Sequence, residues 1–194
     1  MSVLRRVHLR TLLREFKPVD AREEAHRAAM LSLCNAPGDP FSRDHWYPGH
    51  FTSSAFVLSP DDRDILLIFH DKFERWMQPG GHIEPSDVTV TTGALREVAE
   101  ETGIADVDVV GEGLFDLDVH EIPARKGDPA HHHYDVRVLL RATGRELVAA
   151  TDAVAARWVP LAQVDTVESD ESVMRAVRKI RRVVLGTLPI RGTA

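Results

Sequence analysis

Features that define several protein classes are scarce or absent in this 194-residue chain. It has one cysteine, Cys34, so no disulfide can form within the chain. Arginines occur near the N-terminus at Arg5, Arg6 and Arg10, but no apolar run follows that is long enough for a secretory signal or a membrane span. We therefore expect a cytoplasmic protein without a membrane segment, in which Cys34 is a small buried side chain.

The charge balance also narrows the range of partners. The formal net charge at pH 7 is −6, whereas binding to nucleic acid through its phosphates needs a basic surface. Nucleic acid is therefore a disfavoured partner, although nucleotide-sized molecules stay allowed. The hydrophobic content of 43% and charged content of 28% are those of an ordinary globular domain.

The first 48 residues predict a helical extension and a linker. Apolar residues at helical spacing predict a helix over 4–16, and Pro18 ends it. Asp20 and Glu23 form a capping-box pattern at the start of a second, Ala-rich helix over 21–33. Residues 35–48 are rich in Pro and Gly and predict an irregular connection. The extension could cover the core, form a homodimer interface or shape a substrate lid.

Residues 49–194 predict one α/β domain. Short β-branched, aromatic or alternating segments predict strands over 51–58, 65–69, 115–119, 134–140 and 157–159. Helices are predicted over 88–102, with Asp87 as its N-cap, and over 170–185. The alternation of Phe115, Leu117 and Val119 with polar residues predicts a strand with one buried face. This order of elements favours a mixed sheet with helices on both faces.

Three carboxylates share one face of the predicted 88–102 helix. Glu97, Glu100 and Glu101 are spaced by three and four residues, at which helical side chains are neighbours. Such carboxylates repel one another unless a cation compensates, and oxygen ligands suit a hard ion such as Mg²⁺ or Mn²⁺. This cluster indicates phosphate chemistry, although an acidic helical turn by itself is usually a solvated surface.

The surroundings of the three glutamates form a longer motif. Gly80-Gly81 precedes them, Arg96 stands directly before Glu97, and Gly103 occupies a C-cap position. With these parts, residues 81–104 resemble the signature box of the Nudix hydrolases. These residues form a variant of the box rather than a full match to it.

The variant differs from the family pattern at its upstream edge. Asp87 replaces the first acidic residue, a glutamate, and one residue is inserted between Asp87 and Arg96.

The resemblance implies a fold, an activity and residue roles. It implies an α/β/α sandwich and Mg²⁺-dependent hydrolysis of a diphosphate linkage in a nucleoside diphosphate derivative or a similar phosphorylated small molecule. Glu97, Glu100 and Glu101 would hold Mg²⁺, or Mn²⁺, with a main-chain carbonyl of Gly81, and Arg96 would orient the carboxylates. The general base stays open among several acids: Glu97, Glu100, Glu121, Glu146 and Asp152.

Histidines supply a second set of candidate residues. His131 and His133 precede Asp135 on a predicted strand, and His120 ends the preceding one. If these strands pair, the four side chains form a polar cluster that contacts phosphate or transfers protons. A zinc site is conceivable but lacks a known ligand spacing. The alternative is a solvated hairpin.

Two further residues are weaker candidates for substrate contact. Lys72 offers a cation for phosphate, and Trp76 offers a ring for stacking on a base. Their ordinary interpretations are a solvated lysine and a core aromatic. Two alternative functions stay open. One is a nucleotide sensor without catalysis. The other is a prenyl diphosphate isomerase, which is disfavoured because Cys34 lies in the extension and outside the predicted α/β domain.

Overall fold

The computed structural model describes residues 2–71, 74–125, 127–148 and 155–186. In chain order its elements are α1 Ser2–Glu15, α2 Ala21–Leu33, β1 Gly49–Leu58, β2 Asp64–His70, β3 Arg75–Met77, β4 Gly80–His82, α3 Val90–Thr102, β5 Val107–Val109, β6 Asp116–Ile122, β7 His131–Ala142, β8 Ala155–Pro160, a 3-10 turn Val164–Thr166 and α4 Glu171–Val184. These elements confirm the predicted α/β class. In the described parts of the chain, no helix is long and apolar enough to cross a membrane.

The described residues divide into two compact units. Unit 1 holds residues 2–54, 80–94 and 113–137, and unit 2 holds the remainder. Strands β1 and β7 and helix α3 run from one unit into the other along the chain.

Unit 1 combines the N-terminal helices with four strand segments in the order β4-β1-β7-β6. β4 pairs antiparallel with β1, with His82 opposite Thr52, and β6 pairs antiparallel with β7, with His120 opposite His133. Leu9 of α1 and Met30 of α2 belong to the same buried apolar cluster as Phe51, Leu117 and Val136 of the strands. The helical extension therefore covers the core, one of the three roles considered for it.

The buried cluster of unit 1 also contains Cys34. Its side chain is only 1% exposed, and burial raises the pKa of the thiol to about 11. A buried thiol that stays protonated at neutral pH is a poor nucleophile. The prediction of a small buried side chain is confirmed.

Unit 2 is built around β2, which pairs antiparallel with β1, β3 and β8, while β5 pairs antiparallel with β7. Helix α4 starts at an N-cap, Asp170, whose carboxylate accepts a hydrogen bond from the main-chain N of Val173 at 2.9 Å. Val173, Val177 and Ile180 are fully buried, as the apolar spacing of this helix predicts.

Helix α3 starts later than the sequence suggests. It begins at Val90, and the Thr89 hydroxyl caps it by accepting from the main-chain N of Thr92 at 3.1 Å. Asp87 is not the N-cap, because its carboxylate accepts from the main-chain N of Glu84 at 2.7 Å and so closes the preceding turn. The prediction of Asp87 as cap is therefore wrong. At the other end, Gly103 ends the helix in the left-handed region with φ of +74°.

Replacing Gly103 by alanine is expected to lower the free energy of unfolding by about 2–4 kcal/mol. A residue with a Cβ is disfavoured at this φ by about 1–2 kcal/mol, and the new methyl group would lie 2.6 Å from the Val148 side chain. Two glycines with open surroundings are matched controls: Gly127, whose φ is also positive at +86°, and Gly144. Urea unfolding should rank the losses as G103A, then G127A, then G144A. Equal stability of G103A and G144A would contradict this packing.

Candidate active site and histidine cluster

The glutamates of α3 lie in unit 2, and Arg96 links two of them, Glu97 and Glu100. Arg96 Nη1 donates to Glu97 Oε1 at 3.0 Å and to Glu100 Oε2 at 2.9 Å. Arg96, which the family resemblance implies would orient the carboxylates, contacts two of them. One guanidinium thus offsets the repulsion between two neighbouring carboxylates and fixes their positions on the helix surface.

The acids differ in exposure. The Glu97 side chain is 14% exposed and the Glu100 side chain 58%, while Arg96 is 21% exposed. Val98 and Thr102 on the opposite side of the helix are fully buried, and the Thr102 hydroxyl donates to the Val98 carbonyl at 2.6 Å. The helix is therefore anchored on its apolar side and presents Glu97, Glu100 and Glu101 on the other. Carboxylate oxygens suit a hard divalent cation in charge and ligand type.

The upstream part of the motif lies in unit 1 and is tightly packed. Gly80 permits the close approach of β4 to β1, because a Cβ there would lie 2.2 Å from Cβ of Ser54. Gly81 stands opposite Ser53 in the same pairing. Asp87 is only 4% exposed and holds the turn at Glu84, so its shorter side chain serves the local structure.

The predicted histidines of unit 1 come together. His120 faces His133 across β6 and β7, with ring centroids 5.6 Å apart, and the His131 and His133 centroids are 5.1 Å apart. The expected proximity of His120 and His133 is confirmed. His131 donates from Nδ1 to the Pro129 carbonyl at 2.8 Å, and His120 Nδ1 lies 3.0 Å from a carboxylate oxygen of Asp118. A solvated hairpin does not describe this arrangement.

The structure adds two histidines that the sequence analysis missed. The ring centroid of His50 in β1 lies 5.1 Å from that of His82 in β4 and 4.8 Å from that of His133 in β7. Burial, followed by the neighbouring imidazoles, lowers the pKa of His50 to about 3 and that of His133 to about 2. Both rings are therefore neutral at physiological pH, the form that binds metal ions.

Asp135 lies in a buried polar network. Its carboxylate accepts from Thr52 at 3.1 Å, from Ser54 at 2.8 Å and from Arg137 Nε at 2.7 Å. Arg137 also lies 3.2 Å from Asp116 and 3.6 Å from Asp118.

Charge holds this network together. Burial alone lowers the pKa of Arg137, but the carboxylates of Asp135, Asp118 and Asp116 outweigh burial and raise it above its ordinary value. Asp116 and Asp118 on the polar face of β6 are therefore buried as well as Leu117 on the apolar face, contrary to the predicted strand with one buried face.

Trp76 in unit 2 is already in contact on one ring face. The guanidinium carbon of Arg157 lies 3.9 Å from a ring centroid of Trp76, and Phe69 meets the indole edge-on with centroids 5.5 Å apart. A base that stacked on this face would have to displace Arg157. The other predicted contact, Lys72, and the candidate base Asp152 lie outside the described residues.

Comparison with known proteins identifies the family. The family described as NUDIX domain matches residues 49–177, more than half of the chain. The chain therefore belongs to the Nudix family, and the predicted class of enzyme, a Nudix-type hydrolase, is confirmed. A comparison with curated proteins gives no significant match.

Solved structures share the fold at low sequence identity. An Ap4A hydrolase from C. elegans is 14% identical with a TM-score of 0.53, covering 70% of this chain and 98% of its own. The E. coli dihydroneopterin triphosphate pyrophosphohydrolase is 18% identical with a TM-score of 0.52, covering 70% and 95%. The M. smegmatis Nudix hydrolase RenU is 18% identical with a TM-score of 0.51, covering 73% and 88%. These likenesses confirm the predicted Nudix-like α/β fold with a mixed sheet.

Proposed function

We propose that the protein hydrolyses a diphosphate linkage in a nucleoside diphosphate derivative or a similar phosphorylated small molecule and that the reaction depends on Mg²⁺. The observation that carries this proposal is the arrangement on α3. Arg96 donates hydrogen bonds to both Glu97 and Glu100, and Glu101 follows on the same face of the helix. Membership of the Nudix family gives this arrangement its interpretation. Mn²⁺ is the alternative ion, since it also takes oxygen ligands.

Each box residue has a distinct task in this proposal. Glu97, Glu100 and Glu101 hold the cation, which when bound neutralises charge on the diphosphate oxygens and makes water a stronger acid. Arg96 is a positioning residue, since it touches two of the carboxylates. Of the two acids that Arg96 contacts, Glu97 is the less exposed to solvent. Electrostatic interactions are stronger where solvent is excluded, so Glu97 should bind the cation more strongly than Glu100.

The extension and the small-molecule partner belong to the same proposal. We divide the chain into a helical extension over 1–48 and a Nudix domain over 49–194, with the extension serving the stability of unit 1 through its buried residues. The net charge of −6 favours small phosphorylated substrates over nucleic acid. The single buried Cys34 is compatible with a cytoplasmic enzyme, and its burial disfavours prenyl diphosphate isomerisation through this thiol.

A substrate panel with product analysis tests the proposed activity. The panel contains nucleotide sugars, dinucleoside polyphosphates, nucleoside triphosphates, a pterin triphosphate and capped RNA, each with Mg²⁺, with Mn²⁺ and with a chelator. Mass spectrometry should find two phosphorylated fragments from at least one small-molecule substrate, and the chelator should stop their formation. Tight binding of a nucleotide without any cleavage under all conditions would contradict hydrolysis and favour a sensor.

A further inference from the structure

We propose that His50, His82 and His133 form a second metal site for a late first-row divalent ion such as Zn²⁺. The site lies in unit 1, uses none of the box glutamates and does not depend on the proposed hydrolysis. Its ligands are imidazoles, which suit Zn²⁺ and its neighbours, whereas the proposed Mg²⁺ ligands of the box are oxygen atoms.

The three rings already lie at near-coordinating distances. One ring nitrogen from each histidine lies within 4.8 Å of those of the other two. Zinc binds imidazole nitrogen at about 2.0–2.1 Å, so tetrahedral ligands are roughly 3.3–3.4 Å apart. Shifts of about 1 Å in ring position therefore complete the triad, and two of the three rings, His82 and His133, are only partly buried.

The sheet places the three ligands on one surface. His82 stands opposite Thr52, and His50 precedes Thr52 by two residues, so His50 and Thr52 share a face of β1. His133 precedes Asp135 by two residues, and Asp135 accepts a hydrogen bond from Thr52 at 3.1 Å. Adjacent strands with fixed registers thus hold all three imidazoles, which is the support that a metal site needs.

His50 provides an independent reason to expect a ligand. Its side chain is fully buried, and neither ring nitrogen makes a hydrogen bond of ordinary geometry. Burial lowers the pKa of His50 and outweighs the main chain of His45, which raises it. A buried polar group without a partner is destabilising, so such groups point to a water or an ion. A metal ion coordinated by His50 removes this cost.

The surroundings favour a cation and leave it an open position. Asp118 orients His120 beside His133, and Asp116, Asp118 and Asp135 lie along the same pair of strands with Arg137. Three protein ligands leave the fourth position of a tetrahedral ion for water or a small ligand, as in catalytic zinc centres. A purely structural zinc site would have four protein ligands.

Metal titration of the tag-free, chelator-stripped protein tests the site. Calorimetry with Zn²⁺ should show one ion per chain, and Co²⁺ should give the intense visible absorption of a tetrahedral complex. His82→Gln and His133→Gln should each weaken Zn²⁺ binding at least about a hundredfold, because loss of a direct ligand costs more than loss of its hydrogen-bond partner. His132→Gln is the matched control, since His132 is exposed on the opposite face of β7 and should bind Zn²⁺ as the wild type does.

The result that would overturn the site is equally specific. Absence of stoichiometric Zn²⁺ binding by the wild type, or equal binding by the wild type and both triad variants, would show that the histidines hold no metal. Far-UV circular dichroism establishes that each variant is folded. Glu97→Gln should retain Zn²⁺ binding, so failure of the histidine site and failure of the proposed hydrolysis give different results.

Discussion

Replacing Glu97 by glutamine is expected to reduce Mg²⁺-dependent hydrolysis at least about a hundredfold while leaving the protein folded. Glutamine keeps the shape of the side chain but removes a negative charge that the bound cation requires. The change also removes one of the two carboxylates that Arg96 contacts at 3.0 and 2.9 Å. Steady-state kinetics on the best substrate of the panel, with Mg²⁺ varied, measures the loss. A raised requirement for Mg²⁺ should accompany it.

Glu100→Gln and Glu101→Gln should act in the same direction. If the three acids hold one ion or a pair of ions together, the double variant E100Q/E101Q should be no more than slightly worse than the worse single variant, because residues that act as a unit are not additive. Independent acids would instead multiply their effects. The comparison separates a joint site from scattered contributions.

Glu112→Gln is the matched control for these substitutions. Glu112 is also in unit 2 and is exposed, but lies outside the motif. It should keep wild-type activity and the wild-type dependence on Mg²⁺. A similar loss of activity in Glu112→Gln would show that the loss comes from the change in net charge of the protein. Full activity in Glu97→Gln would show that Glu97 is not part of the site.

Replacing Arg137 by alanine is expected to lower the free energy of unfolding by about 3–5 kcal/mol. Arg137 is 2% exposed and lies between Asp135 at 2.7 Å, Asp116 at 3.2 Å and Asp118 at 3.6 Å. Without the guanidinium, three carboxylates with at most 4% exposure face one another and lose its hydrogen bonds. Urea unfolding followed by circular dichroism measures the change.

Arg141→Ala is the control for the Arg137 prediction. Arg141 makes a bidentate pair with Asp62 at 2.7 and 2.8 Å, but both side chains are about one-third exposed. Solvent screens such a pair, so its loss should cost about 1 kcal/mol or less. Equal losses for Arg137→Ala and Arg141→Ala would contradict the importance of burial in this network.

Local signals in the sequence were sufficient for several elements. Helix α2 has the predicted bounds, 21–33, because Asp20 accepts from the main-chain N of Glu23 at 2.8 Å and the Ala-rich segment favours helix. Alternation in 134–140 located β7, and the box located α3 and its C-terminal Gly103. These features depend on residues close in the chain, which sequence patterns report well.

The missed features depend on residues far apart in the chain. Strand β1 is buried along its whole length, so His50 gave no alternating pattern that could mark it as part of a site. Strands β3, β4 and β5 have only three residues each, too few for periodicity. Arg157 covers Trp76 across β8 and β3, a pairing that no local pattern contains.

The buried acids show the same limit in another form. Asp116 and Asp118 alternate with apolar residues, a pattern that ordinarily places the acids in water. Here Arg137 on the neighbouring strand pairs with them, and their exposure is 0% and 1%. Ion pairs with Arg137 on the neighbouring strand therefore allow these acids to be buried, although the alternating pattern predicts that they face solvent.

Hydrolysis in ¹⁸O-labelled water tests the central claim most directly. With the substrate that gives the highest turnover, mass spectrometry of the two products should find one ¹⁸O atom in a phosphate group of one product. This incorporation should require Mg²⁺ and fall at least about a hundredfold in Glu97→Gln. Products without ¹⁸O, or equal incorporation by the wild type and Glu97→Gln, would contradict diphosphate hydrolysis by the acids of α3.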